Sequence, residues 1–536
     1  MATDHSNKPI RLGLLGLALG ALGLTLALPT EAEAEESATN PIIVFGMDGG
    51  EWSVIESLWE QGELPNLKKL SDRGVRAPLN SHYGLSPIIW TSIATGMEKD
   101  THGISGFTIH TDKGDVPFSS TLRKVPAIWN MASTVDKQVA VLGWWATWPA
   151  EDINGVMLTE RGQGKDAGRI SPDSYMAEFK AELKKVNSAQ EHFQKGDNFS
   201  PEDRMVHHFG RSYARSGDYD LILAYFRGTD AVSHKYWKYW EPEAFESVDP
   251  GVLEAKKDIV PDKYVQTDKA IGDIIAAAPP NTNFFVVSDH GFHAEPGGKD
   301  RVKITMDTNK VFQELGLLTY AANGTAIDYA NTTVFTHRSQ IHSRRKKLRL
   351  SVQGREQGGV IPPDQVDAKL AELKSQLKKV RYDSGAPVFA FQSARDKDDC
   401  DIILQVLADG DTVSKVLVYE GREITGTVKH LSVITGSHQD APAGLFIAAG
   451  PDIDPKADAT GVDIHDVTPT VLYGMGMPVG KDMHGEAQVH LFTGDFRAKH
   501  PLQTIDSWGT REGNTVSTGQ DDEAHMEQLR ALGYID

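Results

Sequence analysis

Residues 40–50 read NPIIVFGMDGG. The first seven of these form an unbroken apolar run, and a run without alternation fits a parallel strand covered on both faces. Asp48 then falls at the carboxyl end of that strand. Further runs of the same kind lie at Val139 to Leu142, Leu221 to Tyr225, Phe284 to Val287 and Leu445 to Ala449. Stretches with helical periodicity, such as Lys263 to Ala278, separate them. This alternation predicts an α/β fold with a largely parallel sheet and helices on both faces. Open sheets of this type bind ligands at the carboxyl ends of their strands, where both Asp48 and Asp289 fall.

The chain has 536 residues and a formal charge of −19. That length allows one large α/β domain with insertions. The acidic balance argues against an extended surface for a nucleic-acid polymer, although a local positive centre can still capture a small anion. Residues 1–34 read as a secretory signal peptide: Lys8 and Arg11, an apolar stretch from Leu12 to Leu28, then Ala32-Glu33-Ala34 as a small-residue cleavage pattern. The expectation is an exported protein, periplasmic or extracellular, with no stable membrane insertion after cleavage. An uncleaved, tilted N-terminal anchor is the alternative. Cys400 is the single cysteine, so no intramolecular disulfide can form. At the mouth of the apolar run DIILQV it reads as a buried structural thiol.

The expected catalytic core comprises residues 40–302 and 429–495. Between them, residues 303–428 change pattern and read as an inserted α+β cap subdomain. It holds a helix at Asn309 to Leu315, a basic patch from His342 to Arg349, and a helix near Pro363 to Lys379. The patch reads as a solvated face or a partner to the acidic core. Asp173 to Arg215, polar and helical, is a second candidate cap element. Residues 496–536 form a tail, with a loop at Arg511 to Gly519 before a closing helix at Asp522 to Leu532.

Metal-ligating and nucleophilic side chains recur where strands end or turns begin. They are Asp48, Ser86, Asp230, His234, Asp289, His290 and His438. Three aspartates, three histidines and a hydroxyl are a sufficient set for two adjacent divalent cations with a shared nucleophile, which predicts phosphoryl-transfer chemistry. Ser86 precedes Pro87, and Gly96 follows Thr95, so Ser86 reads as the N-cap of a short helix. There the helix dipole favours an alkoxide and an approaching phosphate. Thr91 and Ser92 are rival hydroxyls, but one turn in they point along the helix. Asp289-His290-Gly291 leaves a strand end with a glycine for the turn. Asp230 and His234, four apart, share one face of a helical turn.

These clusters resemble the alkaline phosphatase superfamily, and most closely its type I phosphodiesterase and nucleotide pyrophosphatase branch, over about Asn40 to Gly485. The nucleophile of that branch stands nine residues before the Thr of a Thr-Gly pair, and counting back from Thr95-Gly96 gives Ser86. His102-Gly103-Ile104, the stretch DTNKVFQELGLL after the Asp-His-Gly turn and the closing EQLRALGYID are also similar to family patterns. The resemblance implies that Asp230, His234 and His438 hold one zinc ion, and that Asp48, Asp289 and His290 hold the other, with Ser86 between them. Manganese or iron would suit the same ligands. Two departures stand out. Ile89 occupies the place, three residues after the nucleophile, of an Asn that binds a phosphate oxygen. The Pro and Arg spacing that sulfatases need is missing from Ser86-Pro87-Ile88-Ile89-Trp90.

The expected activity is two-step, two-metal hydrolysis of a small phosphodiester or phosphomonoester through a phosphoserine on Ser86. A phosphotransferase acting on a sugar or lipid is the enzymatic alternative. A catalytically inert exported binding protein is the alternative from another class. The cap is expected to wall the pocket and set specificity.

Overall fold

The apolar runs become strands of one eight-stranded sheet in the computed structural model. It describes residues 39–536 except 112–113, 163–166, 191–200, 323, 325, 337–343, 395–398, 409–412, 441, 513–515, 520–521, 533 and 536. The signal-peptide segment therefore lies outside the described residues. The strands are β1 (Ile42–Met47), β2 (Val75–Leu79), β3 (Val139–Leu142), β4 (Gly155–Leu158), β5 (Ile170–Ser171), β6 (Leu221–Phe226), β7 (Asn283–Val287) and β8 (Gly444–Ala449). Their spatial order is β2-β8-β7-β1-β6-β3-β4-β5.

The central five, β7-β1-β6-β3-β4, are all parallel, with Val44 of β1 in register between Leu223 and Phe285. The Leu445–Ala449 run is a strand as expected, but β8 runs antiparallel to both its neighbours. The reason lies in the path of the chain. It leaves the carboxyl end of β7 and returns there through paired antiparallel strands, Arg301–Met306 and Val428–Ile434. It thus enters β8 from the end where the other strands finish.

Successive residues of β1 alternate between two hydrophobic clusters. Ile42 and Val44 join one, while Ile43, Phe45 and Met47 join the other. A sheet buried on both faces has this consequence, and it accounts for the unbroken apolar run. Helix α1 (Ser86–Thr95) contributes Ile89, Trp90 and Ile93 to the first cluster. Helices α2 (Pro201–Ser216), α3 (Gly228–Trp240) and α4 (Ile259–Ala277) cover the second face. The α2 part of the Asp173 to Arg215 stretch is therefore not a cap element: Met205, Val206, Phe209 and Tyr213 are buried against the sheet.

Within 303–428, a four-stranded sheet and helix α5 (Val366–Leu377) enclose a separate cluster running from Ile304 to Val428. Most of the described part of the basic patch lies on the strand Arg345–Leu350, which pairs on both sides and alternates between more exposed and buried residues. Arg349 pairs with Glu356 and Asp399, each at 2.9 Å, and burial pushes the Lys346 amine down to about 7. Both of these Arg349 partners lie inside the insertion and not in the acidic core. Cys400 is half-buried, less enclosed than expected. The closing helix is α6 (Asp522–Leu532), and no helix of the described residues is long and apolar enough to cross a membrane.

Candidate active site

Asp48 follows β1 directly, and a left-handed Gly49 (φ +63°) turns the chain across the start of α3. A Cβ on Gly49 would lie 3.0 Å from Asp230, so a side chain there would crowd a candidate ligand. On α3, Asp230 and His234 face each other as the i, i+4 spacing predicts, with Asp230 Oδ1 to His234 Nε2 at 3.4 Å. Asp289 and His290 leave the end of β7 together. Gly291 is needed here for close approach, with no positive φ: a Cβ would come within 2.3 Å of Glu51 Oε2. Glu51 accepts from Phe292 N at 2.9 Å, and Gly50 N donates to Ser288 Oγ at 2.9 Å, latching the two ligand-bearing turns together.

All six candidate metal ligands converge. The ligand atoms of Asp48, Asp289 and His290 lie within 4.8 Å of one another, as do those of Asp230, His290 and His438. His290 belongs to both groups, and its ring stacks on His438 at 4.1 Å. His234 adjoins the second group, 5.1 Å from the His438 ring. Burial opposes charge on His290, but Asp289, Asp48 and Asp230 together hold it protonated up to about 10. Burial, then Asp289 and Asp230, pushes Asp48 well up. Burial keeps His234 and His438 neutral, as metal ligation requires. Three buried carboxylates thus compete for positive charge.

One atom of each of Asp48, Asp230, Asp289, His234 and His290 is committed and another is left over. Asp48 Oδ2 accepts from Tyr225 Oη and, at 3.3 Å, from Trp145 Nε1. Asp289 Oδ1 accepts from Gly49 N at 3.2 Å, and Asp230 Oδ2 from Tyr534 Oη. His234 Nδ1 meets Gly436 O at 3.1 Å, and His290 Nδ1 meets Gly291 O at 3.0 Å. The remaining Asp48 Oδ1, Asp230 Oδ1, Asp289 Oδ2, His234 Nε2 and His290 Nε2 are buried and meet only one another, at 3.2 to 3.7 Å, and His438 Nδ1 is buried without a hydrogen bond. Metal ligands show this division of labour, in which outer partners fix the side chain and the inner atom faces the ion. The donor set fits divalent cations.

Ser86 is the first residue of α1, with Leu85 and not Ser86 as the N-cap. Its side chain is fully buried, and Oγ has no hydrogen-bond partner. Trp90, four residues on and so on the same helix face, packs on Gly46 and stands 5.0 Å from the Tyr225 ring. This docks the start of α1 toward the end of β1, and Leu85 lines the same cavity as His234, His290 and His438. The rivals are committed elsewhere: Thr91 Oγ1 donates to Pro87 O at 2.7 Å, and Ser92 Oγ meets His102 Nε2 at 3.2 Å. Ile89 is buried in the core cluster, so an Asn in its place would face the core and not a phosphate.

The cavity measures about 960 Å³. Asn80 to Leu85, Phe107, Arg301 and Tyr534 contribute to its walls, while the insertion contributes only Lys303 among the described residues. The wall is therefore mostly core, contrary to the expectation that the insertion would supply it. Tyr225, Trp145 and Tyr534 escape sequence reasoning because aromatic residues read as packing, and Glu51 because a carboxylate at a helix start reads as a cap. Only the similarity of the closing EQLRALGYID to a family pattern pointed toward Tyr534.

The chain belongs to the type I phosphodiesterase/nucleotide pyrophosphatase family, whose model matches residues 42–424. It is thus a phosphoester hydrolase of the alkaline phosphatase superfamily, in a metal-dependent family. No curated protein matches. Among solved structures, human ectonucleotide pyrophosphatase/phosphodiesterase 5 is similar with 12% identity and a TM-score of 0.40, covering 84% of this chain and 100% of that one. The murine protein, as an inactive variant in complex with AMP, gives 12% and 0.40, covering 85% and 100%. Phosphonoacetate hydrolase from Sinorhizobium meliloti 1021, in complex with phosphonoformate, gives 16% and 0.39, covering 82% and 96%.

Proposed function

We propose that this protein is an exported two-metal phosphohydrolase that cleaves small phosphodiesters or phosphomonoesters through a covalent intermediate on Ser86. One observation carries the reading: each of the seven candidates presents a buried polar atom without a hydrogen-bond partner. The ligand atoms that meet anything meet only one another, at 3.2 to 3.7 Å, and a buried polar atom left without a hydrogen bond costs on the order of 1–3 kcal/mol, a cost that bound cations and substrate would offset. Asp48, Asp289 and His290 would hold one divalent ion, with a donor type that suits zinc, and Asp230, His234 and His438 the other, with His290 adjoining both. Bound ions supply Lewis-acid stabilisation of the phosphoryl oxygens and lower the pKa of hydroxyl and water.

The chain's own groups do the rest. Ser86 Oγ loses its proton and attacks phosphorus, the bond to the leaving alcohol breaks, and that alcohol departs with a proton. Water then attacks the phosphoseryl phosphorus, the bond from phosphorus to Ser86 Oγ breaks, phosphate or its monoester leaves, and Oγ takes back a proton. The amino end of α1 stabilises the negative charge on both sides of this exchange. Arg301 and Lys303, from the strand leading into the insertion, place positive charge on the cavity wall and suit an anionic substrate. The core is inferred to span 40–302 and 429–495, with 303–428 inserted.

Ser86→Ala tests the nucleophile. It should abolish turnover of aryl phosphate esters while keeping the metal content of the parent. Ser81→Ala, which removes another unpartnered hydroxyl of the cavity wall, should leave turnover within about threefold. Wild-type rates in Ser86→Ala contradict the assignment.

A further inference from the structure

Tyr534 lies 304 residues from Asp230 in sequence, yet its hydroxyl donates to Asp230 Oδ2. This leaves Oδ1 without a hydrogen bond, facing His234 Nε2 at 3.4 Å. The arrangement repeats that of Asp48, whose Oδ2 is held by Tyr225 while Oδ1 is left over. Each ligand group therefore contains one aspartate fixed by a tyrosine. Tyr225 belongs to a central strand of the sheet, whereas Tyr534 comes from the segment after α6.

The position of Tyr534 is over-determined. Its ring stacks on Phe107 at 4.9 Å and meets Trp145 and His234 edge-on, each at 5.9 Å. Tyr534 N bonds back to Leu529 O at 2.9 Å, and Met526 and Leu529 are buried in the core cluster. Asp522, at the head of α6, pairs with buried Arg161 at 2.7 Å. Gln528 donates to Glu202 at 3.0 Å, and Glu202 lies 3.4 Å from Arg227, the residue that begins α3 ahead of Asp230. The segment is thus tied to the helix that carries Asp230 as well as to Asp230 itself.

We propose that Tyr534 is a positioning residue of the metal centre, orienting the Asp230 carboxylate so that Oδ1 faces the ion, and that α6 and Tyr534 belong to the unit that holds the site. This rests on the reading of Asp230 as a metal ligand. A hydroxyl fixing a ligating carboxylate typically contributes 10- to 100-fold in metal affinity, an order-of-magnitude figure.

The test is Tyr534→Phe in the full chain, with zinc affinity measured by competition against a chromogenic chelator and the metal-free melting temperature measured in parallel. Two equivalents should bind the parent. In the variant one of them should weaken by about 10- to 100-fold, with the metal-free melting temperature unchanged. Phe107→Leu, which loosens the ring stack and keeps the hydroxyl, should bind both equivalents like the parent. If Tyr534→Phe binds both equivalents with parental affinity, or Phe107→Leu weakens them as much, the positioning role is overturned while the metal reading stands. A parent chain that takes up no divalent ion overturns both.

Discussion

At the residue scale, the site is defined by which atom of each side chain is already spoken for. Asp289 illustrates this: Oδ1 accepts from Gly49 N and Oδ2 remains. Asp289→Asn keeps the shape but puts an amide in place of a charged oxygen. It should lower metal affinity by more than about 100-fold, beyond what outer partners contribute, as metal analysis after dialysis would show. His102 gives a different prediction. Burial first, then the Arg123 charge, drives its pKa down to about 3, and burial does the same to His525. Both are neutral in the folded state, while the unfolded chain takes up protons below its ordinary histidine range near 6.5. Their contribution to stability is complete above about 6.5 and is lost as pH falls toward 3. The melting temperature should therefore drop across that window, and His525→Gln should make the drop shallower.

At the element scale, the turn after β1 and the packing of α2 are the parts most exposed to single changes. Gly49→Ala imposes a left-handed alanine beside Asp230, and should cost about 1–2 kcal/mol in denaturant unfolding from backbone strain alone. Phe209→Ala on α2 should cost about 3–5 kcal/mol, because a buried ring facing the sheet leaves a cavity. If it costs less than about 1 kcal/mol, α2 is not the core layer described. The strands, α1 and α6 were readable because their signals are local: unbroken apolar runs, Pro87 and Gly96 around a short helix, and a polar loop before Asp522. The role of α2 was not, since its polar face dominates the composition while its buried stripe shows only once a sheet lies beneath it. The direction of β8 was hidden too, because strand direction depends on where the insertion returns the chain.

At the scale of the whole molecule, the sheet gathers residues from 48 to 438 onto the carboxyl ends of its strands, and the insertion stands on two paired strands beside the cavity. The candidate ligands were legible one by one in the sequence, as short clusters at strand ends. Their grouping came from resemblance, and the tyrosines that orient them were invisible because nothing local links residue 534 to residue 230. On the proposed two-ion reading the ions bind a site that the unfolded chain lacks, so divalent metal should raise stability by about 2.7 kcal/mol at 100 times its dissociation constant. Calorimetry with and without metal checks this. The central claim, two divalent ions acting with Ser86 on a phosphoester, is tested most directly by titrating zinc into chelator-treated protein while following hydrolysis of a phosphodiester and its matched monoester. The account predicts no turnover without metal, and recovery that saturates at two equivalents per chain. Full turnover in the metal-free protein, or saturation at one equivalent, would contradict it.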